Sequence, residues 1–536
     1  MSRSHKVRAA RPVYIRRIAH VSALGLSADA AARAFLAGEC LAGWRDSPDA
    51  RYPWFGLPLE ETEWSSRLRR AMDAIRAELD VDLAGLPLFL GSSSLQVGAF
   101  EARARAAKQA VLAGNPADIG AEIAALLGNR TSAWMFSTGC SSGLAALEAA
   151  FLMIAQGRID KALALGFEFA NETTLAGFAS LGLLAPDKDA DGLILGEAVG
   201  ALLLSADPGD GPVWRIGGCR LGIDAWSPTA PTPDGSIIAA NLAAVLEDAR
   251  IDAADIDLVK SHRGRIPATD AAEAAALAHV FGSRPPPEIT CKRQIGHTLG
   301  ASGPAELTLL LALLATPDGI ERHDRPKHLL FNLVGFGGSI AALALSKDKA
   351  ADKESDRAGS IPSRKMPQHD GASPPLTLLP PVIYAMSSEA LAARARQVSP
   401  VPLRRAGVLA KALIVGANCL AGRPARPTLA LLGSRTGMSA ATLRLINDVV
   451  LARELPFPFD FLATQPILAA IPARQVFPCE NLLYQPWSDD TALHWQRMRS
   501  LAAVWLKAGR CERVLCGEVE PTENGVRAQW QIMEKA

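Results

Sequence analysis

The most informative stretch of this chain covers residues 292–303 and reads KRQIGHTLGASG. It places Lys292 and His297 five positions apart, immediately ahead of a helix-like segment that contains Glu306. Taken alone, the stretch also fits an exposed lysine and an ordinary core histidine. It becomes informative because of three further segments elsewhere in the chain.

The first of these segments, residues 136–143, reads FSTGCSSG and places Cys140 just before an Ala- and Leu-rich helix. The positive end of a helix favours the thiolate form of a cysteine, so the pattern predicts an activated nucleophile. The alternative is structural, because free cysteine is among the most buried residue types.

The other two segments lie next to β-like runs, one after a run and the other as a flexible turn before the last strand. Residues 261–264 read SHRG and place His262 directly after the run 256–260. Residues 332–338 read NLVGFGG and place Phe336 between two turn glycines. A histidine at a strand end is by itself most often a surface or core residue, and only the ordered set argues for catalysis.

In this order the segments resemble the β-ketoacyl-ACP synthase (ketosynthase) family of thiolase fold. That family has a cysteine elbow, a histidine in HGTGT, a K-x(4)-GHT-x-GA-x-G segment and a terminal N-x-FGFGG. Residues 192–198, GLILGEA, are similar to a further family segment, DGFVLGEGA. The resemblance covers residues 10 to 346.

The resemblance implies a role for each catalytic candidate. Cys140 would take the acyl group as a thioester, which divides one difficult step into two easier ones. His262 and His297 would polarise the malonyl thioester carbonyl and stabilise the enolate that forms when carbon dioxide leaves. Lys292 would maintain the electrostatics and geometry of the histidines, and Glu306 would be structural in the same network.

The resemblance also assigns the terminal loop. The backbone N–H groups of Cys140 and Phe336 would receive the thioester oxygen. Phe336 is similar to the family's gating phenylalanine, and Gly335 and Gly337 would let it move. No cofactor is implied, since phosphopantetheine arrives on the carrier protein, and no metal site is predicted.

One segment departs from the family pattern. HGTGT is replaced by HRGRI in residues 262–266, so Gly264 and Ile266 occupy the two threonine positions. The added Arg263 and Arg265 can bind phosphate or carboxylate groups of the carrier arm bidentately, or can lie in a solvated loop. The extender substrate and its carrier therefore stay open.

Composition excludes several other functions. The 536 residues include 56 Lys and Arg against 55 Asp and Glu. This near-neutral charge lacks the positive excess that is typical of nucleic-acid-binding proteins. The 8 cysteines show no metal-ligand spacing, which predicts reduced thiols and a cytoplasmic protein. We recognise no signal peptide, and the longest apolar stretch, 307–315, is too short for a membrane span.

Strand-like runs between Ala- and Leu-rich helices predict an α/β protein with a mainly parallel sheet. We expect a ketosynthase-like domain at 1–346, with halves at about 1–212 and 213–346. A linker rich in Pro, Ser and Gly follows at 347–381. The resemblance implies a five-layer αβαβα sandwich for the first domain.

Residues 382–536 resemble the first half of the same chain. Residues 68–71, 87–92 and 145–169 recur in order at 403–406, 429–434 and 499–518. Counting back from Gly509, the counterpart of Gly157, places Ala492 near the position of Cys140. We therefore predict a degenerate, catalytically silent half, similar to a chain-length-factor partner and packed near Cys140.

Three functions compete at this point. The first is a decarboxylative ketosynthase that condenses acyl and malonyl thioesters in fatty acid, polyketide or aryl polyene-type biosynthesis. The second is a cysteine-dependent acyltransferase or thioesterase that has lost elongation. The third is a non-catalytic scaffold for another ketosynthase. The expected partners are an acyl carrier protein, small acyl thioesters, and a second copy or a ketosynthase-type partner.

Overall fold

A computed structural model describes residues 11–111, 114–210, 213–322, 326–348, 375–400, 402–403, 406–488 and 490–536. These residues form a ten-stranded sheet, a six-stranded sheet and a small three-stranded sheet. None of the described helices has the length and apolar character needed to cross a membrane.

The first half, residues 13–205, contributes five strands to the large sheet and three strands to the small sheet. Its strands are β1 (Val13–Ser22), β2 (Gly43–Asp46), β3 (Arg51–Phe55), β4 (Leu88–Gly91), β5 (Trp134–Phe136), β6 (Lys161–Glu168), β7 (Leu195–Gly196) and β8 (Ala198–Ser205). Its helices are α1 (Ala28–Leu36), α2 (Trp64–Leu79), α3 (Val97–Ala107), α4 (Asp118–Leu126), α5 (Ser142–Ala155) and α6 (Glu172–Ser180).

The second half completes the large sheet. Its strands are β9 (Val213–Ile223), β10 (Leu258–Lys260), β11 (Glu288–Ile289), β12 (His328–Val334) and β13 (Ser339–Asp348). Its helices are α7 (Ser236–Ala249), α8 (Pro267–Phe281), α9 (Lys292–Ile295), α10 (Ser302–Leu313) and α11 (Pro317–Arg322).

The two halves share a central helical layer. Both α5 and α10 are buried on every side and pack against each other. A helix that is apolar all round belongs in such an interior position. Helix α2 covers β1 from outside, and α7 covers β9 and β13. The fold is therefore α/β and thiolase-like, as the resemblance implied, with sheet order β11-β10-β12-β13-β9-β1-β8-β6-β4-β5.

The tail, which we define as residues 375–536, forms the six-stranded sheet. Its strands are β14 (Leu376–Leu378), β15 (Val382–Ser387), β16 (Thr428–Ser434), β17 (Cys479–Pro486), β18 (Arg513–Thr522) and β19 (Gly525–Lys535). Its helices are α12 (Ser388–Val398), α13 (Val408–Ala417), α14 (Ser439–Ile446), α15 (Pro458–Leu462), α16 (Ala470–Ala473) and α17 (Thr491–Lys507).

The strand order of the tail repeats that of the first half. In the tail, β17, β16 and β18 are parallel neighbours, and β19 is antiparallel to β18. In the first half, β5, β4 and β6 are likewise parallel neighbours, and β8 is antiparallel to β6. Gly157 follows α5 with φ +69°, and Gly509 follows α17 with φ +70°. The tail is therefore an additional thiolase-type half.

Three details of the sequence interpretation were wrong. The large sheet is mixed rather than mainly parallel, since five of its nine described strand pairs are antiparallel. Leu68 lies inside α2, whereas Leu403 precedes α13, so these positions are not equivalent; Arg404 and Arg405 lie outside the described residues. Strand β13 pairs with β9 as far as Asp348, and β14 already pairs with β19, so the margins of the interval 347–381 are sheet rather than linker. Residues 349–374 lie outside the described residues.

The tail covers the edge of the first half. The Ser137 N–H donates to the Tyr484 carbonyl oxygen at 2.9 Å, where β5 meets β17. The Gln156 side chain donates to the Val504 carbonyl oxygen at 2.6 Å, where α5 meets α17. An uncovered edge strand offers unpaired backbone groups to other chains, and here the same chain covers that edge.

Candidate active site

Cys140 lies in a short 3₁₀ turn between β5 and α5. The turn is fixed by Ser142, whose hydroxyl accepts from the Thr138 N–H at 2.9 Å and donates to the Gly139 carbonyl oxygen at 2.5 Å. Gly91 has no side chain to obstruct it: a Cβ there would lie 2.3 Å from the Ser142 carbonyl oxygen. The close strand–helix approach buries the cysteine, which is only 2% exposed.

His297 faces the sulfur of Cys140. Its Nε2 lies 3.1 Å from Cys140 Sγ, and its Nδ1 lies 3.3 Å from the Ser302 hydroxyl. Its backbone is held against β7, because the Gly196 N–H donates to the His297 carbonyl oxygen at 3.1 Å. The imidazole is thus positioned to exchange a proton with the thiol.

The environment of Cys140 favours the neutral thiol. Burial raises its pKa to about 11, while the Phe336 backbone hydrogen bond and the charge of Lys292 act in the opposite direction. The sequence interpretation expected a thiolate at the helix start, and this expectation was wrong because the desolvation cost exceeds the stabilising contacts. A base must therefore remove the proton, and His297 is in contact to do so.

His262 lies beside His297, with their ring centroids 5.8 Å apart. Its Nδ1 accepts from the Val334 N–H at 3.2 Å, so in the neutral ring the hydrogen is on Nε2. Glu273, fully buried in α8, fixes the loop by accepting from the His262 and Arg263 N–H groups at 2.6 and 2.9 Å. His262 can therefore donate a hydrogen bond from Nε2.

Both imidazoles are held in the neutral form. Burial is the main cause that lowers the pKa of His262 and of His297 well below the ordinary value, followed by the charge of Lys292. A neutral imidazole with a free N–H is a hydrogen-bond donor suited to an oxygen that gains negative charge.

A buried cluster of charges lies behind the histidines. Lys292 donates from Nζ to Glu306 Oε1, and Lys260 forms an ion pair with Glu306 Oε2. Glu306 on α10 and Lys260 are fully buried. Lys292 and Glu306 were predicted from the sequence, whereas Lys260 was not. A lysine that ends an apolar β-like run, two residues before a candidate histidine, was the available signal.

Two buried carboxylates that the sequence analysis did not identify hold the surrounding loops. Glu273 also accepts from the Asn332 amide at 2.6 Å, which links its loop to β12. Glu168, at the end of β6, accepts from the N–H groups of Ser93 at 3.0 Å and Gly300 at 2.9 Å. No sequence pattern singled these residues out, because their partners are distant in the chain.

Phe336 follows β12 and lies on the pocket wall. Its ring meets that of Phe178 edge to face, with centroids 5.5 Å apart. Gly335 allows the close approach, since a Cβ there would lie 3.1 Å from Cys140 Cβ. Gly337 has φ +80°, a conformation that favours glycine. The gating movement of Phe336 stays a prediction.

Arg263 and Arg265 both form contacts within the protein. Arg263 donates to Glu288 at 3.0 Å, and Arg265 donates from Nη1 to the Lys188 carbonyl oxygen at 2.8 Å. Both have positive φ, +36° and +66°, which is uncommon for residues with a side chain. The contact with a carrier arm stays a prediction.

The tail supplies part of the pocket at Cys140. The cavity there has a volume of about 50 Å³ and is lined by Phe178 and Phe336 on one side and by Leu445 and Phe461 of the tail on the other. A second cavity of about 60 Å³ shares its lining residues Ser93, Ser94, Val97, Thr442 and Thr464 with the first. The pocket is therefore composite.

Sequence comparisons agree with this architecture. The Beta-ketoacyl synthase N-terminal domain matches residues 77–208, and the Beta-ketoacyl synthase C-terminal domain matches residues 215–317. The protein named "Putative polyketide beta-ketoacyl synthase 1" from Streptomyces cyaneus is 29% identical over 43% of this chain and 64% of its own length. The "3-oxoacyl-[acyl-carrier-protein] synthase 2" of Mycobacterium bovis is 27% identical over 39% of this chain and 60% of its own length.

A solved structure extends the likeness to the tail. The structure named "PfaC Keto synthase-Chain length factor" aligns with 98% of this chain and 78% of its own, with a TM-score of 0.70 and 14% identity. At this identity the likeness concerns the fold. The chain spans less than two thirds of the length of the two curated relatives named above.

The fold and the composite pocket define a thiolase-fold protein with a cysteine and two histidines at one site. Within that class, residues 77–317 belong to the β-ketoacyl synthase family.

Proposed function

We propose that this chain is a decarboxylative β-ketoacyl synthase that uses Cys140 as its acyl acceptor. The observation that carries the proposal is the 3.1 Å distance between Cys140 Sγ and His297 Nε2, with the His262 ring beside them. A scaffold protein would not need this buried and fully arranged set.

The first step transfers an acyl group to the enzyme. His297 Nε2 accepts the thiol proton as Cys140 Sγ attacks the thioester carbon. The carbon–sulfur bond of the incoming thioester breaks. The leaving thiolate takes a proton from solvent while His297 releases its Nδ1 proton to solvent, so the neutral ring keeps a hydrogen on Nε2. The backbone N–H groups of Cys140 and Phe336 are the candidate donors to the thioester oxygen.

The second step forms the new carbon–carbon bond. The malonyl carboxylate leaves as carbon dioxide, and its bonding electron pair becomes the enolate of the remaining thioester. His262 and His297 donate to the enolate oxygen from Nε2. The enolate carbon then attacks the acyl carbon on Cys140, the carbon–sulfur bond breaks, and the cysteine recovers a proton from solvent.

We further propose that both substrates arrive on an acyl carrier protein in the cytoplasm. Support comes from the curated relative from Mycobacterium bovis, whose name includes the acyl carrier protein. The tail would act as a permanently attached chain-length-factor-like partner, since the similar solved structure is named for both components.

A second candidate function is favoured by one observation. Ile266, at a threonine position of the family motif, packs with the apolar cluster around Cys140 instead of offering a hydroxyl to a carrier arm. A pocket without these hydroxyls fits an acyltransferase or thioesterase that does not elongate.

Intact-mass spectrometry with acyl and malonyl carrier proteins tests both candidates. The condensing enzyme gains the acyl mass on Cys140 and, after malonyl-carrier is added, returns to its free mass and yields a β-ketoacyl-carrier. The Cys140→Ala variant gains no acyl mass. An acyl-enzyme that releases free acid and no carbon dioxide would establish the second candidate and overturn the first.

A further inference from the structure

Lys260 is a second lysine in the buried cluster behind the histidines, and the reaction above leaves it without a role. It ends β10 and is fully buried. Its Nζ contacts the Glu306 carboxylate, donates to the Asn332 carbonyl oxygen at 3.2 Å and lies 4.0 Å from the centre of the Phe331 ring. A carboxylate, a carbonyl oxygen and an aromatic face are partners suited to a desolvated ammonium ion.

The cluster carries an excess positive charge. Glu306 is in contact with both Lys260 and Lys292, and one carboxylate cannot neutralise two ammonium groups. All three side chains are at least nine-tenths buried. In such surroundings a charge acts on its neighbours more strongly than it would in water.

The excess charge acts on both histidines. The charge of Lys260 lowers the pKa of His262 and of His297, in addition to burial and to the charge of Lys292. Lys260 is itself affected by burial, which lowers its pKa, while Glu306 acts in the opposite direction.

The other charged groups around the site are committed to structural contacts. Glu273 accepts from the backbone N–H groups of His262 and Arg263, and Asp270 accepts from the Gly264 N–H. Arg263 is paired with Glu288, and Glu168 accepts from Ser93 and Gly300 on the far side of Cys140. Lys260 and Lys292 are therefore the two cations of this buried cluster whose charges act on the imidazoles of His262 and His297.

We propose that Lys260 is a positioning residue for the decarboxylation step: its ammonium group, held by Glu306, adds to the positive charge next to His262 and His297 and behind the enolate oxygen. The proposal rests on the proposed function. Neutral imidazoles can donate from Nε2 without giving up a proton. An imidazolium would instead protonate the enolate and end the reaction before the new bond forms.

The Lys260→Met variant tests the role because it removes the charge and keeps much of the length. Replacing a buried charged group by an apolar one of similar size is often tolerated, and Lys292 remains to pair with Glu306. We expect malonyl-carrier decarboxylation at pH 7 to fall roughly tenfold. The acid limb of its pH–rate profile should move to higher pH. Lys260→Arg, which keeps the charge, should return the limb to its original position.

Lys161→Met, which removes an exposed lysine from β6, is the matched control and should leave the profile unchanged. If Lys260→Met does not fold, Lys260→Gln provides the same comparison. The proposal is overturned if a folded Lys260→Met or Lys260→Gln variant keeps the acid limb of its pH–rate profile at the original pH. This holds even if that variant is slower, since a lower rate with an unmoved limb indicates a purely structural role.

A second measurement does not depend on activity. Histidine labelled with ¹³C at Cε1 reports protonation by NMR, and His262→Ala and His297→Ala assign the two signals. Both signals should begin to titrate at higher pH in Lys260→Met than in the unmodified chain. If the chain does not decarboxylate malonyl groups, the proposed function fails while this titration still decides the effect of Lys260. Identical titration curves would overturn it.

Discussion

Phe461 of the tail packs its ring directly on the backbone of Gly177 in α6, where a Cβ would lie 2.2 Å from the ring. The same ring meets Phe178, with centroids 5.3 Å apart, and lies 6.3 Å from Phe336. Since Phe178 and Phe336 line the cavity at Cys140, a residue of the tail closes the space into which an acyl chain would extend.

We predict that Phe461→Ala lets Cys140 accept longer acyl groups. Truncation removes the aromatic wall between the cavity and the tail, and we expect the ratio of long-chain to short-chain acylation to rise at least about tenfold, or roughly 1.4 kcal/mol. The measurement is intact-mass spectrometry with a series of acyl-carriers. Phe457→Ala, which truncates a residue of the same segment that is 77% exposed, is the control. An unchanged ratio would contradict the assignment.

The pH dependence of Cys140 alkylation should follow its raised pKa. With a pKa of about 11, the thiol is neutral at pH 7, and its rate with iodoacetamide should rise about tenfold per pH unit between pH 7 and 9. Cys40 is exposed and should be labelled before Cys140. Peptide mass spectrometry resolves the sites. A rate for Cys140 that is already constant near pH 7 would show a thiolate instead.

The two histidines should differ in the steps that they affect. His262→Ala should still acylate Cys140 but lose malonyl decarboxylation by roughly 10²-fold, the scale of one lost oxyanion donor. His297→Ala should slow both steps, because His297 is the histidine in contact with the sulfur and is also a proposed donor to the enolate oxygen. Single-turnover acylation and carbon dioxide release separate these effects. Equal acylation rates in the two variants would exclude His297 as the base.

Glu148 should make stability depend on pH. It is buried in α5, and burial raises its pKa from 4.5 to about 7, against the opposing charges of Arg510 and Arg220. The folded state therefore binds this proton more tightly than the unfolded state, so its contribution is favourable below about pH 4.5 and is lost as pH rises through 7.

Glu148→Gln removes this titration. Relative to the unmodified chain, the free energy of unfolding of the variant should increase between pH 5 and pH 8 by about 1–3 kcal/mol. Urea unfolding at several pH values provides the measurement. Glu122→Gln, at an exposed position on α4, should show no such trend. Parallel pH curves for Glu148→Gln and the unmodified chain would contradict the prediction.

The sequence predicted the fold class and the members of the site because both depend on local motifs. Cys140, His262, His297 and Lys292 each stand in a short segment with its own pattern, and the structure places them together. The correspondence between β4 and β16 could be recognised in the sequence because each strand is a continuous apolar run. Leu68 and Leu403 were mismatched because Ala- and Arg-rich segments look alike whether or not they are helical.

What the sequence did not reveal depends on tertiary contacts. Glu168 and Glu273 act through backbone N–H groups distant in the chain, so no spacing indicates them. The protonation of Cys140 was predicted wrongly because a helix start is visible in the sequence, whereas the depth of burial is not. Phe461 could not be assigned to the pocket without knowing how the tail lies against α6.

The covering half belongs to the same polypeptide as Cys140, and this has consequences for kinetics and inheritance. Two separate subunits dissociate when diluted, whereas tethered halves keep a high effective concentration at any dilution. Specific activity should therefore be independent of enzyme concentration. With Ala492 near the position equivalent to Cys140, the proposed function implies one acyl-accepting sulfur for the first half and the tail together. One gene encodes both the first half and the tail. A mutation on the contact surface of either one is therefore always inherited together with the surface that it packs against.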